Sequence, residues 1–109
     1  MSLVINTEYY FDLESLFFKL PETAQQALGD RLMSDSAWKQ VADRLGYTAI
    51  HIETLAAKHS SRAAHQMLRE WSRRQGSTLQ ILRQTLRDVE RQDIITLLDD
   101  IRRCKLTSS

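Results

Sequence analysis

Apolar side chains recur along this chain at intervals of three and four residues, and this spacing limits the folds open to it more than any other feature. Leu13, Leu16, Phe17 and Leu20 are the first example, and every later apolar stretch repeats the pattern. This is the period of a helix with one buried face, whereas a half-buried strand alternates every second residue. One Pro and three Gly supply few of the turns that a β-sandwich or barrel needs. The 109 residues therefore predict one all-helical domain.

The spacing predicts six helices from Pro21 onward, joined by short connections, and one short helix before them over about 9–19. The first of the six runs over about 21–33. The later helices are marked by apolar sets, which are Trp38, Val41, Ala42 and Leu45; Ile50, Ile52 and Leu55; Ala64, Met67 or Leu68, and Trp71; Leu79, Leu82, Leu86 and Val89; and Ile94, Leu97, Leu98 and Ile101. Both tryptophans are in phase with their helix's apolar face, which predicts that they lie in the core.

Polar residues and glycines between these sets predict where the helices begin and end. Gly46 and Gly76 are expected stops, because glycine adopts the left-handed conformation that often follows a helix. The expected N-terminal caps are Ser36, Thr48, the pair Ser60 and Ser61, and Ser77, with Gln80 reaching back to Ser77 in a capping box. A bend is expected at Arg91-Gln92-Asp93.

Charge is divided unevenly along the chain although the net charge is only +1. Residues 1–57 hold eight acids and four bases, whereas residues 58–91 hold eight bases and three acids. A domain with two such regions can pair its acidic side with the basic side of a neighbour. The alternative interpretation is a solvated surface whose charges happen to be divided.

Composition excludes several classes of protein. Hydrophobic content of 42% and charged content of 27% are typical of a globular domain. No apolar run approaches the roughly 20 residues of a membrane span, so we expect no direct membrane insertion. The single cysteine, Cys104, excludes an internal disulfide, fits a reducing compartment and is expected to have no role.

Two segments carry a resemblance to a known family. The first segment contains a Trp, an Ala, a Leu-Gly and then a short helix with Ile, and it reads WKQVADRLGYTAIHIETL (38–55). The second contains the patterns Leu-x-x-Trp, Thr-Leu-x-x-Leu and Arg-x-Asp, and it reads AAHQMLREWSRRQGSTLQILRQTLRDVERQDIITLL (63–98). Together they resemble helices 2–3 and 4–6 of the death domain family, and the closest likeness is to death domains of neurotrophin and tumour necrosis factor receptors. The resemblance covers about residues 16–103. It implies a six-helix antiparallel bundle over 16–104, an N-terminal extension over 1–15 that is partly helical or frayed, and a frayed tail over 105–109.

The resemblance implies a non-catalytic interaction module that associates with other death domain proteins in apoptotic or inflammatory NF-κB-type signalling. A second copy of the chain is among the implied partners, and nucleic acid is not. The implied location is the cytoplasm, either free or as the intracellular part of a membrane receptor. Family members use three kinds of surface, which are helices 1 and 4 against helices 2 and 3, the end of helix 4 against the helix 5–6 corner, and helix 3 against loops. The candidate interaction residues are Arg69, Arg73 and Arg74 on helix 4, Asp43 and Glu53 on helices 2 and 3, and Arg91 and Asp93 at the corner.

No pattern in the sequence predicts a catalytic residue, a metal site or a cofactor. No two of His51, His59 and His65 are three or four residues apart, the spacing that brings two ligands together on one helix. Neither a nucleophile elbow nor a phosphate-binding glycine loop is present. We therefore predict that the chain is not an enzyme.

The main alternative is a helix-turn-helix domain that binds DNA. Ala42, Gly46 and Ile52 have the relative spacing of that motif. The segment that would read DNA, over about 49–58, offers Glu53 and a single base, Lys58, whereas a reader needs several cationic or amide side chains. A caspase-recruitment or death-effector domain is a further alternative, which would change the partner and not the class of function.

Overall fold

The computed structural model describes residues 11–34 and 36–103, and within these ranges the chain folds into α-helices without a β-strand. The helices are α1 (Glu22–Met33), α2 (Ala37–Arg44), α3 (Ala49–His59), α4 (Ala63–Ser72), α5 (Leu79–Asp88) and α6 (Gln92–Arg103). Short 3₁₀ turns at Phe17–Lys19 and Ser60–Arg62 precede α1 and α4. The prediction of an all-helical domain is confirmed. Residues 1–10 of the predicted N-terminal extension, Asp35, Cys104 and the predicted frayed tail over 105–109 lie outside the described residues.

A cluster of buried apolar side chains joins the helices, and α4 packs against α1, α2 and α3. Trp38 and Trp71 are 2% and 4% exposed, so the prediction that both tryptophans lie in the core is confirmed. Met67 and Leu68 are both buried, where the sequence pattern had left the choice between them open. Phe17 also reaches this core, and its ring centroid lies 5.7 Å from that of Trp71.

Residues 11–20, named here the N-terminal strap, are not the α-helix that the sequence predicts over about 9–19. The only helical element within residues 11–20 is the 3₁₀ turn, because backbone groups of the strap are bonded to another segment of the chain. The carbonyl groups of Ser15 and Leu13 accept hydrogen bonds from the N–H groups of Leu79 and Gln80, each at 2.8 Å. These N–H groups belong to the first turn of α5, where no carbonyl of the same helix can reach them. The strap therefore caps α5 with its own backbone.

Arg102 fixes the other end of the strap to α6. The backbone N–H of Phe11 donates to the carbonyl of Arg102 at 3.1 Å, and the Arg102 Nε donates back to the Phe11 carbonyl at 3.0 Å. The same buried guanidinium group donates to Asp99, which also accepts two hydrogen bonds from Arg83. Burial alone would raise the pKa of Asp99, but the hydrogen bonds from Arg83 and Arg102 hold that pKa below its usual range. Asp99 therefore stays ionised at neutral pH and holds the Arg102 guanidinium group, which in turn bonds Phe11 of the strap.

The predicted start of α5 is wrong by one residue. Thr78 is the cap, and its Oγ1 accepts a hydrogen bond from the N–H of Ile81 at 3.3 Å. Ser77 is buried, and its hydroxyl lies within hydrogen-bond distance of the carbonyl groups of Ser72 and Arg74. The predicted capping box does not form, because Gln80 is then one position too early to reach back to the cap.

Of the other predicted N-terminal caps, one forms as predicted and the rest make no capping hydrogen bond. Thr48 caps α3 by accepting from the N–H of His51, which confirms that prediction. Ser36 holds the cap position of α2, but with φ 64° its hydroxyl makes no capping hydrogen bond. The prediction for Ser60 and Ser61 is wrong, because both lie in a 3₁₀ turn that continues from α3, and Arg62 with ψ 17° precedes α4. An extended residue, which would direct a hydroxyl at the first turn, is therefore missing there.

Thr78→Ala is expected to lower the free energy of unfolding by about 1 kcal/mol, because the substitution leaves an N–H group of α5 without its capping acceptor. Urea denaturation monitored by circular dichroism measures this change. Thr96→Ala, at an exposed position within α6, is the matched control and should have a smaller effect. Equal effects of the two substitutions would show that the hydroxyl of Thr78 does not stabilise α5.

Candidate functional site

The packing of α4 determines which of its side chains reach the surface. Its buried side chains are Ala63, Ala64, Met67, Leu68, Trp71 and Ser72. Arg69 on α4 and Arg73, the residue that caps its C-terminal end, are both exposed, and their spacing of four residues places them on the same side of the helix. Among the described residues, neither guanidinium group makes a hydrogen bond or an ion pair. We name these two residues the α4 arginine pair.

Arg74 does not belong with this pair, although the sequence predicts a cluster of three arginines. Its guanidinium carbon lies 4.5 Å from the ring centroid of Tyr47, and its Nη1 donates to the carbonyl of Leu45 at 3.0 Å. Tyr47 in turn donates its hydroxyl hydrogen to the carbonyl of Met67, and burial raises the pKa of Tyr47 to about 12. Arg74 therefore connects the end of α4 to the corner between α2 and α3, and its guanidinium group is engaged within the chain.

Glu70 lies between the two arginines in sequence but not in space. Its Oε1 is 3.0 Å from the Nε2 of His51, and its Oε2 accepts a hydrogen bond from Gln66. The carboxylate is therefore directed toward α3 and does not neutralise the α4 arginine pair.

Two surface cavities of about 480 and 630 Å³ border the pair. Phe18, Gln25 and Arg69 line both of them, so the cavities are adjacent. The first also contains Arg62, whose Nη2 donates to Gln26 at 2.8 Å. The second extends to Arg73 and Arg74. This surface combines cations with an exposed aromatic ring.

His65 brings α1 and α4 close together beneath this surface. Its Nε2 lies 2.7 Å from Asp30 Oδ1, and its buried Nδ1 has no hydrogen-bond partner within residues 11–34 and 36–103. A Cβ atom at Gly29 would lie 2.5 Å from the His65 ring, so only glycine allows this approach. The contact between His65 and α1 holds in place the two helices that frame the cavities.

The two predicted acidic residues are exposed, but they do not form an acidic surface of their own. Asp43 lines a cavity together with Lys39, Arg44, Asp88 and Glu90, a set with both signs of charge. Glu53 is exposed on α3 and does not line this cavity. Over α2 and α3 together, residues 37–59 hold three cations and two carboxylates.

Arg91 and Asp93, the predicted corner residues, are bonded to each other. Arg91 Nη2 lies 2.8 Å from Asp93 Oδ2, and Arg31 Nε of α1 lies 3.4 Å from the same oxygen. The hydrogen bond from Arg91 holds the pKa of Asp93 well below its usual range. Neither residue lines the two cavities beside α4. The predicted site residues therefore occupy separate parts of the surface.

Other kinds of site have little support in the described residues. Within 11–34 and 36–103, no group of three or more His, Cys, Asp or Glu side chains is arranged to hold a metal ion. No helix in these ranges is long and apolar enough to cross a bilayer.

Comparison with known families identifies the fold. The family model for the death domain matches residues 26–102, which is more than half of the chain. The chain belongs to the death domain family. Death domains are non-catalytic protein-interaction modules, and α1–α6 fall almost entirely within the matched range.

Curated proteins with a similar death domain include membrane proteins and receptors. The chain is 30% identical over 88 residues to the death domain-containing membrane protein NRADD of Mus musculus, covering 76% of this chain and 38% of that protein. It is 35% identical over 83 residues to tumor necrosis factor receptor superfamily member 16 of Gallus gallus, covering 73% of this chain and 19% of the receptor. The chain thus spans less than half the length of these relatives. No solved structure matches the chain significantly.

Sequence reasoning missed the contribution of the strap to this death domain's surface. Phe18 was assigned no role, although it falls outside the spacing that Leu13, Phe17 and Leu20 follow. That exception was the available signal, because an aromatic residue out of phase with its buried neighbours reaches the surface. The strap also precedes the range that the family model matches.

Proposed function

We propose that this death domain associates with other death domains, and that the α4 arginine pair binds an acidic α2–α3 surface of the partner. The observation that supports this proposal is that Arg69 and Arg73 are exposed and unpaired among the described residues. Most arginines elsewhere in the described chain are engaged, as Arg83 with Asp99 and Arg91 with Asp93 illustrate. Cations that no internal carboxylate neutralises are available to a partner, and complementary charge sets the orientation of binding.

The partner in this proposal is a different death domain and not a second copy of the chain. The chain's own α2–α3 segment holds three cations and two carboxylates, so it complements the α4 arginine pair poorly. Asp43 and Glu53 stay candidate interaction residues of this chain, but the proposed surface that meets the α4 arginine pair belongs to another death domain that carries more carboxylates on its α2–α3 surface. Like charges brought together oppose association.

The signalling role follows from the same proposal. Association of death domains in the cytoplasm, in apoptotic or inflammatory NF-κB-type signalling, is the role that we assign to the chain. The names of its relatives, a death domain-containing membrane protein and a tumor necrosis factor receptor superfamily member, support a place beside a membrane receptor.

DNA binding has less support. The exposed side chains of α3 include Ile50, Glu53 and Lys58, which offer one cation and no amide to base edges or phosphates. One side of α3 is also occupied, because His51 contacts Glu70 of α4.

A binding titration against purified death domains tests the proposal. The set includes this chain, the death domains of the two relatives named above, and others whose α2–α3 surfaces range from basic to acidic. Affinity for the 109-residue chain is expected to rise with the acidity of that surface. For the tightest pair, Kd should rise roughly tenfold between 0.1 and 1 M salt, as the screening length falls from ~10 to ~3 Å. Absence of binding to every acidic member, or an affinity that salt does not change, would contradict the proposal.

A further inference from the structure

Phe18 is exposed although Phe17 before it and Leu20 after it both lie in the core. The exposed fraction of Phe18 is 52%, whereas Phe17 and Leu20 beside it are 0% and 3% exposed. Phe17 donates its N–H to the carbonyl of Ser77, and Leu20 donates to the carbonyl of Phe17. The aromatic ring is therefore presented to solvent on a backbone that is already fixed.

Cations and cavities surround this ring. Lys19 Nζ lies 5.8 Å from its centroid, and Arg69 shares both adjacent cavities with it. Ile50 and Ile81 are the other large apolar side chains exposed within the described ranges, and neither lines these cavities. A single exposed apolar residue is ordinary on a protein surface. Phe18 differs from the other two because it lies between recesses that a partner can fill.

We infer that Phe18 is an anchor of the interface that the α4 arginine pair forms, an inference that rests on the proposed function. The partner it fits is a death domain whose acidic surface presents an aliphatic or aromatic side chain flanked by carboxylates. That side chain covers Phe18, while the carboxylates meet Arg69 and Arg73. Charge complementarity selects this occupant, since the ring is bordered by cations on the strap and on α4.

Two physical arguments support an anchor at this position. Burying an aromatic ring at the centre of a charged rim removes apolar surface from water and excludes water from the surrounding ion pairs. Because the 3₁₀ turn already holds the backbone, little conformational entropy is lost when the partner binds. The strap precedes the family-matched range of residues 26–102, so Phe18 provides this chain with a contact outside the matched part of the death domain.

Phe18→Ala tests the inference, with Ile81→Ala as the matched control, because Ile81 is 45% exposed on α5 and away from the cavities. The probe is the acidic death domain that binds the wild-type chain most tightly in the titration above. Phe18→Ala is expected to weaken binding roughly tenfold or more, a typical loss at an interface anchor, and Ile81→Ala less than about twofold. The loss from Phe18→Ala should be similar at 0.1 and 1 M salt, because an apolar contact is not screened. Melting curves establish that both variants fold.

The outcomes separate this inference from the proposed function. Wild-type affinity in Phe18→Ala, together with weakened binding in Arg69→Glu, would overturn the inference and leave the proposed function intact. Equal losses in Phe18→Ala and Ile81→Ala would also overturn it. Absence of binding by the wild-type chain to every acidic death domain would overturn both.

Discussion

Replacing Trp38 with alanine is expected to lower the free energy of unfolding by about 3–5 kcal/mol, the range measured for large aromatic residues in cores. Trp38 lies on α2 and is 2% exposed, within the cluster of apolar side chains that joins the helices. The substitution loses the free energy gained when the indole ring is transferred from water into the core. It also leaves a cavity that the helices fill only partly. Since small domains are stable by only about 5–15 kcal/mol, this loss removes a large share of the stability, and the variant should unfold at a markedly lower guanidinium concentration than the wild type.

Guanidinium denaturation of the wild-type chain and the variant measures the difference. Ile50→Ala is the control, because Ile50 is 77% exposed on α3 and its truncation opens no cavity. That control should stay within about 0.5 kcal/mol of the wild type. A loss below about 1 kcal/mol in Trp38→Ala would contradict the position of α2 in the core.

Helices with a regular apolar face were predictable from the sequence because their spacing reports packing directly. Trp38 and Val41 on α2, and Leu79 and Leu82 on α5, are buried as their phase predicts. Gly46 has φ 101°, the left-handed conformation expected of a residue that ends a helix. These features depend on residues that are close together in the sequence, so the sequence pattern alone is enough to predict them.

The strap was mispredicted because its conformation depends on a distant segment. Leu13, Leu16 and Phe17 have helical spacing, but Leu16 forms an isolated bridge with Thr78, more than sixty residues away. Backbone hydrogen bonds to the start of α5 replace those of a helix. No local pattern reveals such a pairing.

The candidate site was predictable only where it depends on spacing within one helix. Helical spacing correctly places Arg69 and Arg73 on one exposed side of α4. It says nothing of Arg74, whose contact with Tyr47 depends on the corner between α2 and α3. It also cannot show that Phe18, on the strap, lies beside Arg69 of α4.

Reversing the α4 arginine pair, Arg69→Glu with Arg73→Glu, is expected to weaken binding to an acidic death domain about a hundredfold. Each reversal removes an attraction and places a carboxylate against the partner's carboxylates, and every 1.4 kcal/mol is a factor of about ten in Kd. Arg74 is left unchanged because it holds the corner between α2 and α3. Surface changes away from the core cost little, so helicity should be kept, with up to about 1 kcal/mol lost per carboxylate near the end of α4.

Arg87→Glu is the matched control for each single reversal. Arg87 is exposed in the last turn of α5, so the change in charge and the unfavourable contact with the helix end are the same as on α4. Its affinity for the partner should stay within about twofold of the wild type. If Arg87→Glu weakens binding as much as Arg69→Glu or Arg73→Glu, net charge and not the α4 arginine pair controls association.

Exchange of charges between the two proteins tests the central claim most directly. The Arg69→Glu, Arg73→Glu chain is titrated with a partner in which two α2–α3 carboxylates are replaced by arginine, alongside the three other combinations of wild-type and reversed proteins. If the pair meets those carboxylates, each reversal alone weakens binding, and the two together restore at least about tenfold of the lost affinity. Losses that simply add, with no restoration in the doubly reversed complex, would contradict direct contact between the α4 arginine pair and the acidic surface of the partner.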